Sequence, residues 1–431
     1  MNNKKFDSKN IFISFIIVAQ TFLLINIASL YTLTHYKAMR TNKIMSFKEL
    51  VGPFFRPHDR PGVGGYDFGE PSVGYHFFGD LAELMFYAKN VPRTIEYFDL
   101  NLQYPASSLL FLRMFQNYEL KNFIFILILF SIVLIIYAIK QYDLIVNKSL
   151  FVFTFIFLSR PFLFSVDRGN LEFVVFSLIF CGLAIKNEKR KLSIIFFTFA
   201  LCLKPSSALL LIFLKLPSLM LIVFGFLAIQ ICAYLYLKVN PIEGFLHYLN
   251  SLSSFSQTYP YPIDVEISNL SFGTIISYVR HSEFILLTPV GTFLQGFLNH
   301  INLFGVVFVI LYFLLIKFLK VNIYDSHIYF AGYLSIIVLM RELTGYYAAI
   351  YFVIPFILLF RNYELDIGNL IFAIFTFLAI QPVQIFISKS YLMQLENLET
   401  FYRFSSSFFV LIVFLTCIVH NLLDIKEAVR N

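Results

Sequence analysis

The chain contains no tryptophan, and only 14% of its 431 residues are charged. Soluble domains carry roughly a quarter of their residues charged, so this scarcity excludes an ordinary hydrated surface. Without tryptophan, any aromatic belt at a membrane interface must be built from the 26 tyrosines. Cysteine is also scarce. Cys181, Cys202, Cys232 and Cys417 all fall inside apolar runs, where they read as small buried hydrophobes, neither disulfides nor metal ligands. His58, His76, His281, His300 and His327 are scattered, with no pair at a ligand spacing. The sequence has no DxD, no nucleotide-binding glycine loop and no nucleophile elbow. These absences argue against a nucleotide-diphosphate donor, whose charge calls for a metal or its equivalent. The expectation is no metal and no cofactor. A lipid monophosphate carries less charge, which arginine and lysine could neutralise alone.

What is abundant is apolar. Hydrophobic residues make up 58% of the chain and the mean hydropathy is +0.75. A bilayer core takes about 20 apolar residues per helix, and the sequence reads as an all-α polytopic membrane protein, one integral domain over 1–431. Helices are expected over 12–35, 122–139, 150–165, 170–186, 192–203, 206–215, 216–237, 301–319, 327–340, 346–360, 369–388 and 404–424. The formal charge of +7 then sets orientation and does not signal nucleic acid. Lys4, Lys5 and Lys9 place the N-terminus in the cytoplasm. The apolar run behind them is too long for a signal peptide and lacks a small-residue cleavage site.

Counting helices from there puts the densest basic loop, KNEKRK (Lys186 to Lys191), inside as well, in agreement with the positive-inside rule. Downstream the count depends on LSIIFFTFALCLKPSSALLLIFLKLP. As one helix, this segment would carry Lys317 and Lys320 outside. Broken at Lys204-Pro205, it keeps Lys215, Lys317, Lys320, Arg361, Lys426 and Arg430 inside, with the C-terminus cytoplasmic. Proline lacks an N–H and disfavours helix at the residue before it. A break is therefore expected, within the outer half of the membrane and packed against protein. The surfaces expected outside are Gly52–Leu120, Asp167-Arg168, Asn240–Ser282, Arg341-Glu342 and Lys389–Arg403, while the apolar stretch Phe284–Leu298 lies along the interface or re-enters.

Gly52–Leu120 is the one long stretch that is not membrane-like, and it gathers Asp59, Asp67, Glu70, Asp80, Glu83, Glu96 and Asp99. Asp80 followed by Glu83 makes a capping box ahead of an apolar run. The same carboxylate at a helix start could act as a general base. In SVDRGNLEF, Asp167, Arg168, Asn170 and Glu172 read as ordinary helix-start residues, or as an anion site in which Arg168 adds a fixed charge to free N–H groups. Lys204 is the most unusual charge. A lysine at bilayer depth costs about 2.5–3.5 kcal/mol, so it either snorkels to the outer interface or is held there for a phosphate. Arg160 and Arg341 are weaker candidates of the same kind.

Asp80 with Gln103-Tyr104-Pro105, Arg168-Gly169-Asn170, Lys204-Pro205 and Asn269-Leu270-Ser271 follow one another over about half of the chain. In that order and topology they resemble the polyprenol-phosphate-mannose-dependent mannosyltransferases (glycosyltransferase family 87) of the GT-C superfamily. The resemblance implies a GT-C-like fold of about 10–13 transmembrane helices with a large extracytoplasmic first loop (37–121) carrying short helices. It implies Asp80 as catalytic base, Lys204, Arg168 and Arg160 at the donor phosphate, and Tyr104, Asn170 and Asn269 positioning donor or acceptor. The partners would be a polyprenyl-phosphate sugar, a glycan or glycolipid acceptor and membrane lipid, at the outer face of a bacterial cytoplasmic membrane. The sequence departs from the family in having Gly-Asn where Gly-Gln is common and Lys-Pro where Lys-x-x-Pro is common. It also has Gly345-Tyr346-Tyr347 where a His-Tyr pair is usual. These departures leave the sugar and any second catalytic role unassigned. A lipid-linked oligosaccharide polymerase or ligase would place its large outward loop later in the chain. An inverted-repeat transporter would show paired helix breaks, and Thr288-Pro289 is the one place to look for a partner to Lys204-Pro205.

Overall fold

The computed structural model describes residues 104–142, 146–159, 161–162, 165–166, 170–258, 300–340, 346–362, 367–380 and 396–430, together with 81, 84, 85 and 88. Every regular element among them is helical. In chain order these are α1 (Ala106–Met114), α2 (Leu120–Gln141), α3 (Val146–Leu158), α4 (Glu172–Ile185), α5 (Arg190–Leu203), α6 (Leu216–Tyr236) and α7 (Pro241–Thr258). They continue as α8 (Ile301–Leu319), α9 (His327–Leu339), α10 (Val353–Asn362), α11 (Ile367–Ile380) and α12 (Glu396–Arg430). Two 3-10 segments, Pro205–Leu211 and Tyr346–Phe352, precede α6 and α10. By length and composition, Asn122–Gln141, Leu216–Tyr236 and Ser407–Ala428 can each cross a membrane, and further apolar helices are shorter.

Most of the expected helices recur, with local differences that have physical reasons. The helix expected over 150–165 ends at Leu158, ahead of Pro161, which disfavours helix at the residue before it. The expected helix 206–215 is 3-10, because it starts at a proline that cannot continue α5. The expected helix 346–360 also begins as 3-10 and becomes α-helical just ahead of Pro355, which occupies the first turn of α10, where a missing N–H costs no hydrogen bond. The first expected helix, 12–35, and the stretch 284–298 lie outside the described residues. Leu81, Leu84, Met85 and Ala88 are helical and buried, the spacing of one helix face, directly after the Asp80 capping pattern. Cys232 corrects the cysteine expectation: it is exposed on α6, whereas Cys181, Cys202 and Cys417 are buried and all four are free thiols.

The chain divides into two compact units, one of Met1–Leu33, Asp143–Pro161 and Tyr261–Asn431, the other of Thr34–Tyr142 and Phe162–Pro260. In the first unit α9 is buried almost all round, as a helix apolar on every face must be. It is flanked by α8 and α12. Tyr312 Oη of α8 donates to Tyr329 O at 2.9 Å, and Tyr329 Oη donates to Asp424 Oδ2 of α12 at 2.6 Å. Phe155 of α3 lies against Phe356 of α10 and Phe377 of α11. The outer face of α8 leaves Leu303, Val306, Ile310, Leu311, Leu314 and Phe318 exposed.

The second unit is built on a hairpin. α4 and α5 run antiparallel about the basic loop, with Ser193 Oγ donating to Gly182 O at 2.8 Å. The ring of Phe197 lies so close to Gly182 that a Cβ there would meet it at 2.6 Å. α4 is buried on all sides. α6 packs beside α5 in the same direction, as three contacts show. Arg190 Nε donates to Ser218 Oγ at 3.0 Å. A Cβ on Gly225 would meet Thr198 at 3.1 Å. Gln230 of α6 and Cys202 O of α5 both bond Ser107. Arg190 to Cys202 and Ser218 to Gln230 are equal steps along the two helices. Parallel neighbours joined by a short connection require that connection to run back the whole way, so residues 204–215 return from the far end of α5 to the level at which it began.

Candidate functional site

The return begins at Lys204-Pro205. Lys204 is extended (φ −151, ψ 98), as the residue before a proline should be, and its N–H makes the last bond of α5, to Ala200 O at 2.9 Å. The freed carbonyls of a buried helix end need partners, and α1 supplies them. Ser107 Oγ donates to Cys202 O at 2.6 Å, while Ser108 Oγ donates to Cys202 O and Leu203 O, both at 2.8 Å. Gln230 Oε1 accepts the Ser107 N–H at 3.2 Å, and Gln230 Nε2 bonds Ser107 Oγ. Ser207 closes the other side, with its N–H and Oγ both donating to Lys204 O. Gln230, Ser107 and Ser108 are all buried. Gln230→Leu would leave the Ser107 N–H without its acceptor, at a cost of about 1–3 kcal/mol. The expected result is faster hydrogen exchange confined to α1 and the end of α5, with α8–α12 unchanged.

The Lys204 side chain turns toward the first turn of α4. Its Nζ donates to Glu172 Oε2 at 2.5 Å and to Asn170 Oδ1 at 3.4 Å, with the Lys204 and Glu172 side chains 16% and 6% exposed. Two helix ends favour this pairing. Lys204 caps the negative C-terminal end of α5, and Glu172 sits at the positive N-terminal end of α4. The antiparallel hairpin brings those opposite ends side by side. Asn170 is held in turn, since its Oδ1 accepts the Glu172 N–H at 3.1 Å and its N–H donates to Ser165 O at 2.8 Å. Ser165 Oγ donates to Asn170 O at 2.9 Å and accepts the Phe173 N–H at 3.1 Å. The N–H groups at the start of α4 are therefore taken by Asn170 and Ser165, and the anion drawn to that end is the chain's own Glu172.

Depth follows from the α6 register. Cys202 lies level with Gln230 through Ser107, so Lys204, two residues further on, lies beyond Gln230 and less than about 9 Å from the end of α6 at 1.5 Å per residue. Of the site residues expected from sequence, Lys204 and Asn170 are brought into contact. Tyr104 is half-buried, at the turn into α1, whose serines cap the break. Asp80, Arg160, Arg168 and Asn269 lie outside the described residues. Sequence reading treated Glu172 as an ordinary first-turn acid and passed over Ser107, Ser108, Ser165 and Gln230. The signal for Glu172 was present: it and Lys204 are equidistant from Glu188 in the hairpin loop. No family model, no curated protein and no solved structure matches the chain.

Proposed function

We propose that the chain is a GT-C-type membrane glycosyltransferase that moves a sugar, mannose or another hexose or pentose, from a polyprenyl-phosphate donor to a glycan or glycolipid acceptor. The reaction would run on the outer face of the bacterial cytoplasmic membrane, with both termini inside. The observation that carries this reading is a mostly buried lysine at a helix break, in a segment that returns beside a helix long and apolar enough to cross a membrane. A cation kept below the interface suits the phosphate of a lipid whose chain lies among the helices. The donor phosphate would exchange for one of the acceptors on Lys204, with Arg168 and Arg160 adding charge. Asp80 would take the proton of the acceptor hydroxyl as its oxygen attacks the anomeric carbon, and the C–O bond to the lipid phosphate breaks. The leaving phosphate is stable as an anion and needs no protonation. Attack from the opposite side inverts the anomeric centre.

One observation favours a second reading. A lysine–glutamate pair beside a broken membrane helix is also an arrangement that transporters use for coupled ions or substrates. The test is the full chain in phosphatidylethanolamine/phosphatidylglycerol proteoliposomes with radiolabelled polyprenyl-phosphate sugars and a glycolipid acceptor. Transfer to the acceptor with release of polyprenyl phosphate is the expected result. Accumulation of label inside the vesicles without transfer would establish the transporter instead.

A further inference from the structure

α7 leaves α6 through a four-residue turn, Leu237–Asn240. Lys238 adopts the left-handed conformation (φ 59), and the Val239 N–H returns to Tyr234 O at 2.9 Å, the bond that closes a Schellman turn. Asn240 then starts α7, its Oδ1 accepting the Ile242 N–H at 3.0 Å. One face of α7 is pinned to α6. Tyr234 Oη donates to Gly244 O at 3.1 Å, and a Cβ on Gly244 would lie 2.5 Å from the Tyr234 ring.

At about 100° per residue, the described side chains of α7 sort into three arcs. Gly244, Tyr248 and Ser251 form the buried arc. Ile242, Leu246 and Leu249 fall within about 60° of one another and are 73%, 54% and 45% exposed. Next to them lie Glu243 and Asn250, both exposed, and half-exposed His247. Water around the whole helix would leave the apolar arc hydrated, and hydrocarbon around it would bury Glu243 and Asn250. Only a boundary between the two satisfies both arcs. The position of α7 along the chain agrees. α6 is 21 residues long, about 31 Å against a core of about 30 Å. It keeps Ile231, Leu235 and Tyr236 exposed up to its last turn, so its lipid-facing surface reaches the point where α7 begins.

We propose that α7 lies in the plane of the membrane at the headgroup–acyl boundary, with the bilayer itself as the partner of Ile242, Leu246 and Leu249. Between Pro241 and Ser251 the helix carries no lysine or arginine, so its seating depends on apolar burial and not on anionic lipid.

The absence of tryptophan makes this directly measurable. Ile242→Trp, Leu246→Trp, Leu249→Trp, Glu243→Trp and Asn250→Trp each give the full chain a sole tryptophan at an exposed position. In phosphatidylcholine vesicles, tryptophan at 242, 246 and 249 is expected to emit blue-shifted and to lose most of its fluorescence to lipids brominated at shallow acyl positions. Tryptophan at 243 and 250 should emit at longer wavelength and be quenched by aqueous iodide. Adding phosphatidylglycerol should change neither pattern. Iodide quenching at all five positions would overturn the proposal by placing α7 in water. Shielding of 242, 246 and 249 from both quenchers would overturn it by showing that protein covers the face. Wild-type circular dichroism of each reconstituted variant, and agreement among three independent apolar positions, separates these outcomes from misfolding.

Discussion

Glu172→Gln alone is expected to destabilise the chain by about 3–5 kcal/mol, because it leaves a mostly buried lysine without its counter-charge. Lys204→Met alone should also destabilise, since it leaves the buried Glu172 carboxylate without its counter-charge. The double variant Glu172→Gln/Lys204→Met should recover most of the loss. Replacing both members of a buried pair is often near neutral, while removing one is not. Reversible unfolding in mixed micelles, read by circular dichroism, gives all four corners of the cycle. A coupling of several kcal/mol is expected. Additive single effects would mean that the 2.5 Å contact contributes little.

The second large effect is on turnover. Asp80→Asn keeps the shape of the side chain and its ability to cap a helix, but removes its basicity. General-base catalysis contributes about 10²–10⁴-fold, so sugar transfer should fall by at least about 100-fold at unchanged membrane levels. Asp67→Asn and Asp99→Asn, in the same acidic stretch of sequence, should retain most activity. If the Asp80 variant turns over normally, the base lies elsewhere. The helix after Asp80 is present at Leu81, Leu84, Met85 and Ala88, so loss of activity with stability retained points to chemistry and not to the cap.

What was legible in the sequence was what composition and proline dictate. Apolar runs gave α2, α6, α8 and α9 to within two residues of their expected ends, and Pro205 marked the break. What was not legible depends on which side of an apolar helix meets protein. α4 and α6 are both hydrophobic all round, yet α4 is buried and α6 exposes Phe224, Ile231 and Leu235. Lipid and protein interior are alike in polarity, so no periodicity separated them, and Cys232 was assigned to the wrong side. Polar partners were hidden for a related reason. Lys204 was conspicuous as an isolated charge, but Glu172 looked like a routine helix-start acid until the hairpin register set the two side by side. Gln230 and the paired serines of α1 gain meaning only once the end of α5 is known to need donors.

On the proposed reading the returning segment puts Lys204 within the membrane, and that topology can be read without any assay of activity. Glu188→Cys, in the loop before α5, and Lys215→Cys, just before α6, should react with a membrane-impermeant maleimide from the same face of sealed vesicles, the face that carries KNEKRK. Reaction from opposite faces would mean that α5 and the segment after Pro205 cross as one span, and would contradict both the parallel packing of α5 with α6 and a lysine held at depth.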